Sequence, residues 1–185
     1  SLTCGATKLG HSLPLRGAEF LRKSDKKRFE GSIKNNTAYL EIGKAPLGAA
    51  GVYRCELVTE TDEETHGNLN LYVSPVFNFS QNVVEEHTDE PNTIKLTAIS
   101  AKDASDVTLE CPAVGHPTPY VRWEKDGKHI VREKVEYDGN TLIVRAVTST
   151  DAGLWSCHAE NTYPLFNDGP AMPQRATLTR QLVVA

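Results

Sequence analysis

The sequence predicts an all-β chain, two tandem β-sandwiches arranged as an extended rod. Three observations carry that prediction. One phrase is written twice, "AAGVYRC" at residues 49–55 and "DAGLWSC" at 151–157, in the frame small residue, Gly, any, aromatic, any, Cys. The four cysteines fall at Cys4, Cys55, Cys111 and Cys157, two similar and non-overlapping separations. Apolar residues alternate with polar ones around each phrase, as in Leu142 and Val144, in Val107, Leu109 and Cys111, and in Leu69, Leu71 and Val73. Period two is the signature of a half-buried strand.

The 185 residues suffice for one medium domain or two small ones. A hydrophobic share of 39% suits folded β-domains and excludes a mainly disordered chain. No apolar run approaches the roughly 20 residues of a membrane helix. No leader, lipidation site or anchor tail is visible, so the chain reads as a mature fragment, with any membrane attachment expected through segments outside it. A net charge of −4 does not favour nucleic acid as a partner. The charge is uneven: residues 1–73 carry ten Lys/Arg against nine Asp/Glu, and residues 74–185 carry ten against fifteen.

None of the cysteines forms a CxxC pair, which weakens zinc and thioredoxin-type readings. Two independent disulfides, one per domain, are the simplest pairing; four buried thiols of a cytosolic chain are the alternative. Asn35-Asn36-Thr37 and Asn78-Phe79-Ser80 both fit the N-glycosylation pattern, at Asn35 and Asn78. With paired cysteines they favour an oxidising, secretory compartment.

The repeat extends beyond the phrase. Leu142, Val144 and Val147 precede the second copy at the same offsets at which Leu40, Ile42 and Ala45 precede the first. The glycine permits a tight corner. The aromatic two residues before the cysteine, Tyr53 or Trp155, is placed to lock that corner while Cys55 or Cys157 faces the core. Upstream of the second copy, "VTLEC" ends at Cys111, Trp123 follows twelve residues later in "YVRWEKDG", and Asp126-Gly127 marks a hairpin turn. A Cys, a Trp a dozen residues on, then D-x-G-x-aromatic-x-Cys is the pattern of the immunoglobulin sandwich, in which a disulfide joins two sheets and an indole packs against it.

The first half follows with departures. No Trp stands at the expected place, and Phe20 in "AEFLRK" is the best core aromatic. "GHSLPLRGAEF" is slightly long, so a loop must absorb residues. Little precedes Cys4, so a first edge strand is expected to be missing or trimmed. Ala49 replaces the corner Asp. Arg28 is the candidate partner of such an Asp, and without one it is expected to be exposed and free or solvent-paired, the corner being held by Tyr53 and the disulfide. The boundary is drawn at 1–74 and 75–185, with a very short linker at Ser74-Pro75. In the second domain, "EEHTDEPNT" is polar and turn-rich and reads as a protruding solvated loop, while "IKLTAIS" offers alternation for an added strand or bulge.

Catalytic motifs are absent: there is no GxSxG, HExxH, Walker loop or dinucleotide fingerprint. His158 and Glu160 share a strand face but lack a third metal ligand, and a surface strand is the simpler reading. The chain is expected to be a non-enzyme without cofactor or metal. Binding residues are sought in loops. After Cys157 the segment runs through Tyr163, Pro164, Leu165 and Phe166 and two further prolines before strand character resumes at Leu178. Aromatics stiffened by proline make interface anchors at low entropic cost; the alternative is that Tyr163 and Phe166 fold back on their own domain. Arg22, Lys23, Lys26, Lys27 and Arg28 form a basic run, and Glu60, Asp62, Glu63 and Glu64 an acidic hairpin loop. These can steer a charged partner, pair across two copies, or hold heparan sulfate, unless they only keep sheet edges soluble.

The whole chain resembles two tandem immunoglobulin domains of the intermediate set. "CPAVGHPTPYVRWEKDGKHI", "DGNTLIVRAVTSTDAGLWSCHAEN" and the long final hairpin are similar to the second domain of the neural cell adhesion molecule and fasciclin II group. The resemblance implies an extracellular or cell-surface adhesion module, often neuronal, that binds itself or another immunoglobulin-superfamily protein. A secreted or receptor module for a peptide hormone or growth factor is the second reading, and an intracellular muscle-type structural module, which intact disulfides and glycans would exclude, is the third.

Overall fold

The computed structural model describes residues 1–43, 47–166 and 168–185. Ala45, which the repeat aligns with Val147, lies outside them. The chain forms two compact units, Ser1–Val73 and Ser74–Ala185.

The strands of the first unit are β1 (Leu2–Cys4), β2 (Thr7–Lys8), β3 (His11–Ser12), β4 (Leu15–Arg22), β5 (Lys27–Glu30), β6 (Ser32–Lys34), β7 (Thr37–Leu40), β8 (Gly51–Thr59) and β9 (Glu64–Leu71). They build a four-stranded sheet in the order β5-β4-β8-β9 and a three-stranded sheet in the order β1-β7-β6, with β2 and β3 as a separate hairpin. That hairpin absorbs the extra residues between Cys4 and Phe20. Alternation is clearest in β8, where Tyr53, Cys55, Leu57 and Thr59 are buried in turn. The Cys4–Cys55 disulfide joins β1 to β8 and thus one sheet to the other. Phe20 stands directly opposite Cys55 in the β4–β8 ladder and is fully buried. Gly31 makes room for it, since a Cβ there would lie 2.8 Å from the Phe20 ring.

β10 (Val73–Phe77) starts at the last residue of the first unit and runs into the second, which contains β11 (Glu85–Glu86), β12 (Thr93–Ala101), β13 (Val107–Leu109), β14 (Ala113–His116), β15 (Tyr120–Lys125), β16 (Lys128–His129), β17 (Val135–Asp138), β18 (Thr141–Val144), β19 (Gly153–Pro164) and β20 (Ala171–Val184). A six-stranded sheet, β11-β12-β20-β19-β15-β16, faces the three-stranded β13-β18-β17, and β10 pairs with β14. Cys111, just after β13, is bonded to Cys157 on β19. Trp123 lies opposite Cys157 in the β15–β19 ladder, as Phe20 lies opposite Cys55. Val107, Leu109, Leu142, Val144, Val147, Trp155 and Leu182 form the core beside it. Asp126 and Gly127, at φ of 50° and 76°, make the two-residue turn between β15 and β16 that the sequence predicts.

Across residues 85–100 the polar segment is an exposed loop and "IKLTAIS" is the added strand. Thr93–Ala101 runs parallel to β20, with a register shift between Leu96 and Ile99. Glu85–Glu86 adds an antiparallel edge to it. β20 bonds β19 on one side, so the backbone groups on its other edge require a partner. The alternating segment 94–100 supplies it.

Both corners of the repeat share one backbone requirement. Gly51 and Gly153 have φ of 119° and 149°, a region that side chains disfavour, so the glycine recurs. Asp126 reinforces the second corner: its carboxylate accepts from the Leu154 N–H at 2.8 Å and lies 2.6 Å from where a Cβ on residue 153 would stand.

Candidate interaction surface

The β19–β20 hairpin is the longest ladder among the described residues, pairing Gly153 with Leu182 at its base and Pro164 with Ala171 at its tip. At the tip, Leu165 and Phe166 are 60% and 66% exposed, and Met172 is 42% exposed. Tyr163 is half-buried opposite Met172. Phe166 packs on its own loop: its ring covers Gly169, where a Cβ would lie 2.8 Å from it, and the Gly169 N–H donates to the Phe166 carbonyl at 3.0 Å. The tip is therefore a pinned apolar knob. Of the two readings of this segment, Phe166 follows the exposed one and Tyr163 stands between them.

Toward the base, the outer face of the six-stranded sheet is polar and knitted together. Arg175 donates to Glu160 at 2.5 Å. His158 reaches Glu124 through Nε2 at 3.1 Å and Thr177 through Nδ1 at 2.9 Å, while Arg122 pairs with the other Glu124 oxygen. Burial pushes the Glu124 carboxyl up, but Arg122 and His158 outweigh it and hold it below the usual range. His158 and Glu160 thus serve two different pairs on one face. Among the described residues no three His, Cys, Asp or Glu side chains gather as a metal site. Tyr120, 73% exposed and opposite Glu160, joins this face. Tyr120 and Met172 escaped the sequence reading, although alternation from the inward Trp123 does not reveal how far Tyr120 projects.

The basic run is largely engaged within the first unit. Arg22 forms a two-pronged pair with Asp25, at 2.9 and 2.7 Å, and Asp25 is held down at about 2, chiefly by that pairing. Arg22 and Lys27 lie 5.4 and 5.3 Å from the centre of the Phe29 ring. Arg28 is exposed as expected but not free: it reaches Glu19 at 3.3 Å and Glu56 at 3.2 Å. Lys23 and Lys26 stand exposed at the β4–β5 turn. In the acidic loop, Asp62 pairs with Arg16 at 2.6 Å and Glu63 with Lys8 at 3.8 Å. Asn35 occupies the exposed two-residue turn between β6 and β7, and Asn78 is exposed just after β10. Among the described residues no helix is long and apolar enough to cross a membrane.

Comparison with known proteins agrees with this architecture. Residues 1–72 match the family described as Zwei immunoglobulin domain protein, N-terminal, and residues 91–161 match the immunoglobulin domain family. The chain is 39% identical over 188 residues to the Zwei Ig domain protein zig-7 of Caenorhabditis elegans, covering 100% of this chain and 78% of that one. It is 33% identical over 153 residues to zig-1 of the same organism, covering 80% of this chain and 57% of that one. The crystal structure of the insect immune protein hemolin shares the fold, with a TM-score of 0.50 at 18% identity over 91% of this chain and 39% of its own. Two disulfide-linked sandwiches, the repeated corner and a match to zig-7 along the whole chain lead to one conclusion: the chain belongs to the Zwei immunoglobulin domain protein family, non-enzymatic members of the immunoglobulin superfamily.

Proposed function

We propose that the chain is an extracellular recognition module of the cell-adhesion type, at the cell surface or secreted, which binds another immunoglobulin-superfamily domain, its own copy or a different one. The observation that carries this reading is the pinned apolar knob of Leu165, Phe166 and Met172, bordered by the charged face of Arg122, Glu124, His158, Glu160 and Arg175. An apolar centre inside a polar rim is the anatomy of protein interfaces. A ring already fixed on Gly169 loses little freedom on binding, which favours affinity. The two disulfides and the exposed Asn35 and Asn78 support passage through an oxidising compartment with glycans at both positions.

Sedimentation of the oxidised chain over a wide concentration range, beside a Tyr163→Ala, Phe166→Ala double variant, tests the proposal. Self-association that the variant loses supports homophilic binding through the hairpin tip. Association that survives in the variant moves the interface elsewhere. A wild-type chain that stays monomeric throughout rules out strong homophilic binding and leaves the heterophilic mode.

A further inference from the structure

The second unit contains a cavity of about 420 Å³ between its sheets, within the size range of small-molecule sites. Trp123, Trp155, Leu109 and Leu178 line it, and the exposed Val83 and Val84 stand at its rim. Both indole N–H groups are used elsewhere, Trp123 on the Asn140 carbonyl and Trp155 on the Asp151 carbonyl. Trp123, half-buried, therefore offers the cavity apolar ring surface, while Trp155, 1% exposed, closes its wall.

Arg180 also lines it. Along β20 the inward positions are Leu178, Arg180 and Leu182, so a guanidinium occupies a place in a row of buried leucines. Arg180 lies opposite Trp155 in the ladder and is half-buried. Its Nε donates to the Thr97 carbonyl at 2.8 Å. Every other arginine in the chain has a carboxylate within ion-pair distance. Arg180 has none among the described residues, and its two terminal amino groups have no hydrogen-bond partner there. Glu110 borders the same cavity, is exposed, and makes no ion pair with it.

The Arg180 guanidinium is half-buried and only its Nε is engaged, so its two terminal amino groups are open to a ligand, and a carboxylate satisfies such a fork with two parallel N–H···O bonds. We infer that this cavity is a binding site for a small amphipathic acid, its single carboxylate on Arg180 and its hydrocarbon or aromatic tail against Trp123 and the rim valines Val83 and Val84, with the buried Trp155 forming the wall behind. Nearby Glu110 disfavours a second negative charge on the ligand. The site is separate from the hairpin tip and does not depend on the recognition reading.

The test uses the full oxidised chain and its intrinsic fluorescence, because the only two tryptophans both line the cavity. Octanoate is titrated beside 1-octanol, which has the same tail without the charge, and both are repeated on Arg180→Gln. We expect a saturable fluorescence change with octanoate, and dissociation constants at least tenfold weaker for octanol and for octanoate on the variant. Equal binding of octanol, equal binding of octanoate by Arg180→Gln, or no saturable response up to millimolar octanoate overturns the inference. If Arg180→Gln does not fold, as judged by near-ultraviolet circular dichroism, the octanoate-to-octanol ratio on the wild type decides alone.

Discussion

The Tyr53 hydroxyl donates to the carbonyl oxygen of Ala49 at 2.6 Å, in a buried position. The Trp155 Nε1–H makes the same bond, to the carbonyl of Asp151 at 2.9 Å. The aromatic of the repeated phrase thus ties each corner through a backbone acceptor four residues earlier, and a backbone acceptor asks nothing of the side chain. This is why the first copy functions with Ala at the place of Asp. Removing only the hydroxyl, Tyr53→Phe leaves the Ala49 carbonyl without this partner and should destabilise the first unit by about 1–3 kcal/mol. Hydrogen exchange of β8 amides checks it; protection unchanged from wild type would contradict the locking role.

The second corner carries an additional device. Arg132 donates to Asp151 at 2.7 Å, with both groups mostly buried, and the guanidinium also reaches the carbonyls of Lys134, Arg145 and Ala146. Asp151 accepts in turn from the Thr148 N–H at 2.8 Å. Asp151→Ala strands a mostly buried cation, for which a loss of about 3–5 kcal/mol is expected. Tryptophan fluorescence during urea unfolding reads this unit selectively, since both tryptophans lie in it. The reverse change, Ala49→Asp, should not stabilise the first unit, because Arg28 is held on the sheet face by Glu19 and Glu56, Arg22 is committed to Asp25, and the new carboxylate would be buried. A gain in stability from Ala49→Asp would sink this account.

The sandwich frame was legible because it rests on chemistry with a fixed spacing. Cysteines at matching offsets, alternation in β7, β8 and β18, and a glycine at each corner are properties of the local chain. Phe20 as core aromatic was legible for the same reason, since it falls on the inward phase of its strand. What depends on register between distant strands was not. Arg28 meets Glu19 and Glu56 only because β5, β4 and β8 lie side by side. The alternation in "IKLTAIS" marks a candidate strand, but its parallel pairing with β20 joins segments far apart in sequence, and nothing local names that partner. Arg180 falls on the inward phase between Leu178 and Leu182, but a charged residue in a period-two pattern reads as a break in the strand rather than as a lining residue of a cavity.

Arg145 links Asp106 and Glu136, at 3.1 and 2.9 Å. Both carboxyls titrate below their ordinary range: Asp106 chiefly through the Ala146 N–H and then Arg145, Glu136 chiefly through Arg145. A carboxyl depressed in the folded state contributes stability that is complete above its unfolded value of about 4 and is lost as pH falls through its folded value. The urea midpoint of the second unit should therefore hold from pH 7 to about pH 5 and decline below. Arg145→Met relieves most of the depression of Glu136 and part of that of Asp106, so its decline below pH 5 should be shallower. Parallel profiles for wild type and variant would show that this cluster does not set the acid response.

The Cys111–Cys157 bond closes a loop with a sequence separation of 46 residues. A link of that span restricts the unfolded chain by about 4 kcal/mol in the loop-entropy description. Cys157 is fully buried and Cys111 nearly so, and Trp123 lies against the bridge, so the sulfurs also fill the core between the sheets. The double variant Cys111→Ala, Cys157→Ala removes both contributions at once. Its urea midpoint, followed by tryptophan fluorescence, should drop by an amount equivalent to at least about 4 kcal/mol, enough to unfold many small domains outright. Simple reduction of the wild type should give a smaller loss, because the thiols still occupy the core while the chain constraint is gone. A double variant no less stable than the reduced wild type would show that the core tolerates the missing sulfurs and that the bridge acts through the unfolded state alone.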